Sequence, residues 1–121
     1  MSWLKLAEPT IRILAIMPKN AELGAIANRS GWRIDWAASI PVELGRYEII
    51  LCERCRDWKD RIRQIAAAAP HGCVILVSAE SDDHLWQDVI DCGGYDVLTK
   101  PFQPDRVMQL VQFAASHRKL A

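Results

Sequence analysis

No stretch of this sequence approaches the roughly 18 apolar residues that a membrane-spanning helix requires. The opening MSWLKLAEPT offers one lysine and an apolar run too short for a secretory signal core, so a cytoplasmic protein without membrane contact is expected. Net charge is lacking as well: 15 basic residues balance 15 acidic ones. No overall field draws the chain onto nucleic acid, and nucleic-acid binding by this domain is not expected. Cysteine is limited to Cys52, Cys55, Cys73 and Cys92, which in a reducing compartment are expected as thiols rather than as a disulfide framework. Repeats, linkers and low-complexity tracts are missing. The 121 residues, 50% of them apolar and 25% charged, suffice for one globular core and are too few for two catalytic domains flanking a cleft.

What is there alternates short β-branched apolar runs with longer stretches of helical period, the pattern of βαβ units around a parallel sheet. Ile11 to Met17 (IRILAIM) is apolar at almost every position, as a strand covered on both faces requires. Asn20 is placed to cap a helix bearing Leu23, Ile26 and Ala27 on one face, with Gly31 just past its end. Trp32 to Ala37 reads as a second strand. Ile40-Pro41 then opens a weakly patterned segment expected to form about two helical turns before Gly45. Tyr47 to Cys52 and His71 to Ser78 read as buried strands, separated by a helix that presents Trp58, Ile62, Ile65, Ala66 and Ala69 before Pro70 stops it. Ser81 is expected to cap the next helix, which carries Leu85, Val89 and Ile90 inward and closes at Gly93 and Gly94. Tyr95 to Thr99 is a brief fifth strand. Pro104 opens a last helix with Val107, Leu110, Val111 and Ala114 as its inner stripe.

The expected fold is therefore α/β: a three-layer, doubly wound (βα)5 flavodoxin-like sandwich whose parallel five-stranded sheet runs in the order 2-1-3-4-5. In such sheets function gathers outside the carboxyl ends of the strands near the topological switch. That directs attention to residues 17–20, 53–57, 78–81 and 99–102.

At those ends, from Ile11 to about His117, the sequence resembles the receiver domain of two-component response regulators. The segments carrying the resemblance are CGGYDVLTKPF (Cys92 to Phe102), VILVSAE ending beyond Ser78, and YEIILCE ending at Glu53. It implies an extension at 1–10 followed by a single receiver-like domain at 11–121. It further implies that Lys100 occupies the phosphoryl-pairing position, that Lys100–Pro101 is a cis bond, and that Ser78 is the hydroxyl residue contacting the phosphoryl oxygen.

Receivers phosphorylate themselves on an aspartate after the third strand, with Mg²⁺ held by that residue and an acidic pair after the first strand. Aligned on ILAIMPKN, the acidic pair falls on Met17 and Pro18, which supply no carboxylate. Mg²⁺ prefers a shell of hard oxygens, so no cofactor is expected and Mg²⁺ binding is expected to be weak or absent. The acceptor position falls on Glu53, one methylene longer than aspartate, and ångström-scale misplacement costs ~100-fold in rate. The aromatic switch position falls on Val97. The expectation is an atypical receiver domain in phosphorelay signal transduction, acting by protein–protein interaction and not as an enzyme, with phosphorylation lost or weak. Glu53 then pairs with Lys100 and Ser78 in one fixed state, while Lys19, Arg54 and Lys100 make the pocket mildly basic. Partners implied are a histidine kinase or another signalling protein. Two alternatives stay open: a phosphoacceptor using Glu53, and a cysteine-based redox sensor using Cys52 and Cys55.

For that second alternative the sequence offers a CxxC, Cys52-Glu53-Arg54-Cys55. Cys73 and Cys92 are expected a strand length away from it, so no zinc tetrahedron forms. Asp57 is expected to cap the helix beginning at Trp58. Arg54, Arg56, Lys59, Arg61 and Arg63 are interrupted by Asp57 and Asp60 and read as a solvated face. His71, His84 and His117 fall on separate elements, so no metal site or triad is expected. Trp86 and Phe113 lie off the inner stripes of their helices. In the receiver family the fourth helix, fifth strand and fifth helix form the usual partner surface, and a homodimer or partner contact through it is expected.

Overall fold

In the computed structural model residues 10–120 are described, with side chains as far as His117; the expected extension at 1–10 lies, except for Thr10, outside the described residues. The elements in order are β1 (Arg12–Ile16), α1 (Ala21–Ser30), β2 (Arg33–Ala37), β3 (Ile49–Glu53), α2 (Trp58–Ala68), β4 (Cys73–Ser78), α3 (Asp83–Asp91), β5 (Asp96–Thr99) and α4 (Pro104–Leu120). The five strands pair in parallel as one sheet of order β2-β1-β3-β4-β5. Alternation along each strand splits the core in two. On one face Ile13, Ala15, Ile49, Leu51, Ile75 and Val77 meet Leu23 and Ile26 of α1 and Val107, Leu110 and Val111 of α4. On the other, Leu14, Ile50, Cys52, Val74 and Leu76 meet Trp58, Ile62 and Ile65 of α2 and Leu85 and Val89 of α3. The result is the doubly wound three-layer sandwich, because the helical crossovers are short and each carries one apolar stripe.

Local signals explain most boundaries. The Asn20 side chain accepts from the Leu23 N–H at 2.9 Å, and Gly31 closes α1 at φ 75°. At α3 the cap is Asp82 and not Ser81: Asp82 is extended and its carboxylate accepts from the Leu85 N–H at 2.8 Å, three residues on, a reach Ser81 lacks by one position. Asp57 does hold the position before α2, but its side chain makes no capping bond.

The two-turn helix expected from Ile40 to Gly45 is not formed, so the fold has four helices among the described residues and not the five of a complete (βα)5 repeat. The segment anchors itself with one fully buried side chain, Leu44, while Val42 is 99% exposed. Leu44 and the half-buried Ile40 are too few apolar contacts to sustain so short a helix, whose nucleation is costly. β2 consequently ends as a half-open edge strand, and β3 starts at Ile49 and runs one residue further than expected, to Glu53. Glycine is required at Gly94, where a Cβ would stand 2.5 Å from Val89 Cγ1. Among the described residues no helix is long and apolar enough to cross a membrane.

Candidate functional site at the carboxyl edge of the sheet

The parallel register brings the ends of β3, β4 and β5 side by side, with Glu53 opposite Val77 and Ser78 opposite Thr99. Glu53 is the last residue of β3. Lys100 follows β5 directly, its N–H bonded to the Ser78 carbonyl at 3.0 Å. From these positions Lys100 Nζ donates to Glu53 Oε2 at 2.9 Å, both side chains about one-third exposed. The Lys100–Pro101 peptide bond is cis. A hollow of about 340 Å³ beside the pair is lined by Arg54, Ser78, Glu80 and Lys100.

Ser78 takes no part in the ion pair. Its buried hydroxyl accepts from the Glu80 N–H at 3.2 Å and, at a long 3.5 Å, from a guanidinium nitrogen of Arg54. The expected Glu53–Ser78 contact is thus replaced by Arg54, whose backbone N–H is pinned to Val77 O at 2.8 Å. Sequence reasoning placed Arg54 in the pocket without its contact. Register brings Arg54 to the end of β4, but which group its long, flexible side chain reaches is not set by backbone pairing.

Met17 is buried within the α1/α4 core and Pro18 is exposed. Neither side chain carries an oxygen, and Glu53 is already ion-paired. Val97 is buried on the α2/α3 face. Among the described residues no group of three or more His, Cys, Asp or Glu side chains is placed to hold a metal ion.

The CxxC divides between a buried thiol, Cys52, and an exposed one, Cys55. Burial pushes the Cys52 thiol up to about 11. Cys55, on the surface, is also raised, first by partial desolvation and then by donating to Asp57 Oδ1 at 3.1 Å. That same bond holds the Asp57 carboxyl below its ordinary value, and Arg61 Nε stands 3.5 Å from Asp57. Both shifts favour the protonated thiol, the form that is a poor nucleophile. Cys73 bonds the Ala114 carbonyl at 3.3 Å on the opposite face of the sheet. The basic run resolves into separate ion pairs, Lys59–Asp88 at 3.6 Å, Arg61–Asp57 and Arg63–Asp60 at 3.2 Å.

Away from the strand ends, Trp86 on α3 and Phe113 on α4 are 44% and 56% exposed. They line one depression with Tyr95, Asp96 and Arg106. His117 stacks on Phe113 at 6.2 Å between ring centroids, and its Nδ1 meets the Tyr95 hydroxyl. Because the helix at 40–45 is missing, α3, β5 and α4 are the elements counted in sequence as the fourth helix, fifth strand and fifth helix.

Solved structures share this architecture nearly end to end. A CheY-like response regulator receiver protein from Methanospirillum hungatei superposes with a TM-score of 0.76 at 16% identity, covering 92% of this chain and 98% of the other. The beryllofluoride-activated NtrC4 receiver domain dimer gives 0.75 at 22%, covering 88% and 98%. The fold is that of a response regulator receiver domain. The chemotaxis protein CheY of Listeria monocytogenes is 37% identical over 59 residues, 49% of this chain and 50% of that protein, so the receiver-like sequence match spans about half the length of the curated relative. No family model matches.

Proposed function

We propose that the chain is an atypical receiver module that signals through protein contacts, with phosphorylation lost or weak. The observation that carries this reading is the 2.9 Å Lys100–Glu53 ion pair beside strand-end positions that hold Met17 and Pro18. A divalent cation of hard-oxygen preference meets one carboxylate there, already compensated by an ammonium, where Mg²⁺ sites use one or two carboxylates with water and phosphate oxygens. The residues present do not fit Mg²⁺. With no phosphoryl group to bind, Lys100 is satisfied by Glu53, which holds the β3 and β5 ends in one arrangement.

The surface supporting contact with a histidine kinase, another signalling protein of the cytoplasm or a second copy is the α3–β5–α4 face around Trp86 and Phe113. The activated NtrC4 receiver is itself a dimer.

Intact-mass measurement after incubation with acetyl phosphate and millimolar Mg²⁺ tests the reading. The expected result is unmodified protein. A stoichiometric phosphoryl adduct lost on Glu53→Gln substitution overturns it in favour of Glu53 as acceptor.

A further inference from the structure

A cavity of about 520 Å³ opens above the ends of β1, β2 and β3. Its walls divide by chemistry. Ile16, Met17, Pro18, Trp36, Ala37 and Ala38 form an apolar floor, while Glu53, Arg54, Cys55 and Arg61 make a polar wall. It sits at the topological switch, since the chain leaves β1 for β2 on one side and returns as β3 on the other. Open α/β sheets bind ligands at that place, and the volume lies within the roughly 300–1,000 Å³ usual for small-molecule sites.

Two departures from a complete doubly wound domain make this floor apolar and open. Met17 and Pro18 put hydrocarbon where charge would otherwise stand. The unformed helix at 40–45 leaves the small side chains of Ala37, half-buried, and Ala38, exposed, as the wall beyond β2.

The electrostatics select the ligand's sign. Glu53 faces the cavity but is compensated by Lys100 at 2.9 Å, and Asp57 offsets Arg61 at 3.5 Å. Among the charged residues that line the cavity, Arg54 and Arg61 outnumber Glu53 by one, on guanidinium groups suited to a carboxylate or sulfonate. Arg61 faces Asp57 through Nε at a long distance, and Arg54 makes only a 3.5 Å contact to Ser78. Arg61 uses Nε for Asp57, and the one side-chain contact of Arg54 is the long one to Ser78, so both keep guanidinium N–H groups for an anion.

We propose that this cavity binds a small aromatic carboxylate, its ring over the Met17–Pro18 and Trp36–Ala38 floor and its anion against Arg61 and Arg54. This goes beyond the signalling role, and the two are separable: the acetyl phosphate experiment reads Glu53, whereas ligand occupancy is read at β1 and β2.

The test is a titration of the ¹⁵N-labelled protein with 1-naphthylacetate and, separately, with its uncharged amide. The acid should give saturable amide shifts clustered at Met17, Ala37, Ala38, Arg54 and Cys55, with the amide about tenfold weaker, the factor expected for one charge-assisted hydrogen bond. Ala38→Trp should abolish binding by filling the cavity, and Arg61→Gln should bring the acid down to the affinity of the amide. The dispersion of the same spectra reports whether each variant is folded, and the acid–amide comparison on the unsubstituted protein needs no variant. Shifts that fail to saturate, that cluster instead at Trp86 and Phe113, or that are equal for acid and amide overturn the proposal.

Discussion

Lys100 and Glu53, 47 residues apart in sequence, meet at 2.9 Å because parallel pairing stacks the ends of β3, β4 and β5 in register. With about a third of each side chain exposed, water screens the pair, and its contribution is that of a surface bridge, about 0.5–1 kcal/mol. A double-mutant cycle with Glu53→Gln and Lys100→Met in urea denaturation should return a coupling of that size, shrinking in high salt. Zero coupling at low salt would show that the two ends are not held together electrostatically.

Magnesium should be recovered by replacing what the site lacks. Wild-type protein is expected to show no saturable change in tryptophan fluorescence up to about 10 mM Mg²⁺. Pro18→Asp combined with Glu53→Asp supplies two short carboxylates at neighbouring strand ends, the upper end of the one or two such sites usually employ. Saturation in the low millimolar range is expected for the double variant. Met17 is left in place because a carboxylate there would be buried in the α1/α4 core. Saturable binding by the wild-type protein would remove the basis for reading the site as metal-independent.

The CGGYDVLTKPF segment has a steric reason as well as a resemblance. A Cβ added at Gly94 would lie 2.5 Å from Val89 Cγ1 and 3.1 Å from Val89 O, so Gly94→Ala should destabilise by about 1–3 kcal/mol. Adding Val89→Ala removes the methyl clash but not the backbone one. The double variant should therefore be less destabilised than the sum of the two single changes in thermal or urea unfolding. Additive losses would mean the loop shifts freely.

Much of this was legible in the sequence, for identifiable reasons. β1, β3 and β4 announce themselves because a strand buried on both faces must be apolar throughout, and Asn20 and Gly31 carry their roles in their own chemistry. Lys100 and Glu53 were legible as partners because the order β3-β4-β5 leaves their strand ends one strand apart, about 10 Å, a gap that the two long side chains span. The helix at 40–45 was not: Pro41 and Gly45 give start and stop signals, but whether Ile40 and Leu44 can pin a helix depends on what the sheet offers beneath them. Ser78's partner was equally hidden, since a guanidinium on a long flexible stem is not placed by backbone register.

Phe113→Asp should leave unfolding stability within about 0.5 kcal/mol, because the side chain is exposed and surface changes of this kind are usually small. Self-association in analytical ultracentrifugation, or capture of a cognate signalling protein, should fall in this variant and in Trp86→Ala. Persistence of both would move the contact surface away from the α3–β5–α4 face.

Alkali should weaken the fold through Cys52. Its thiol is raised from near 9 to about 11 by burial, so the folded state holds its proton more tightly than the unfolded chain. The stabilisation from keeping it neutral is complete below about pH 9 and disappears as pH climbs through about 11, an amount of about 2–3 kcal/mol by linkage. Cys52→Ala costs stability at every pH by leaving space between β3 and α2, but it has no thiol to ionise. Tyr47 and Tyr95, both raised, titrate in the two proteins alike and cancel in the comparison. Urea midpoints taken from pH 7 to pH 11 should therefore fall more steeply for wild type than for Cys52→Ala above pH 9, and parallel curves would show that the buried thiol does not couple ionisation to folding.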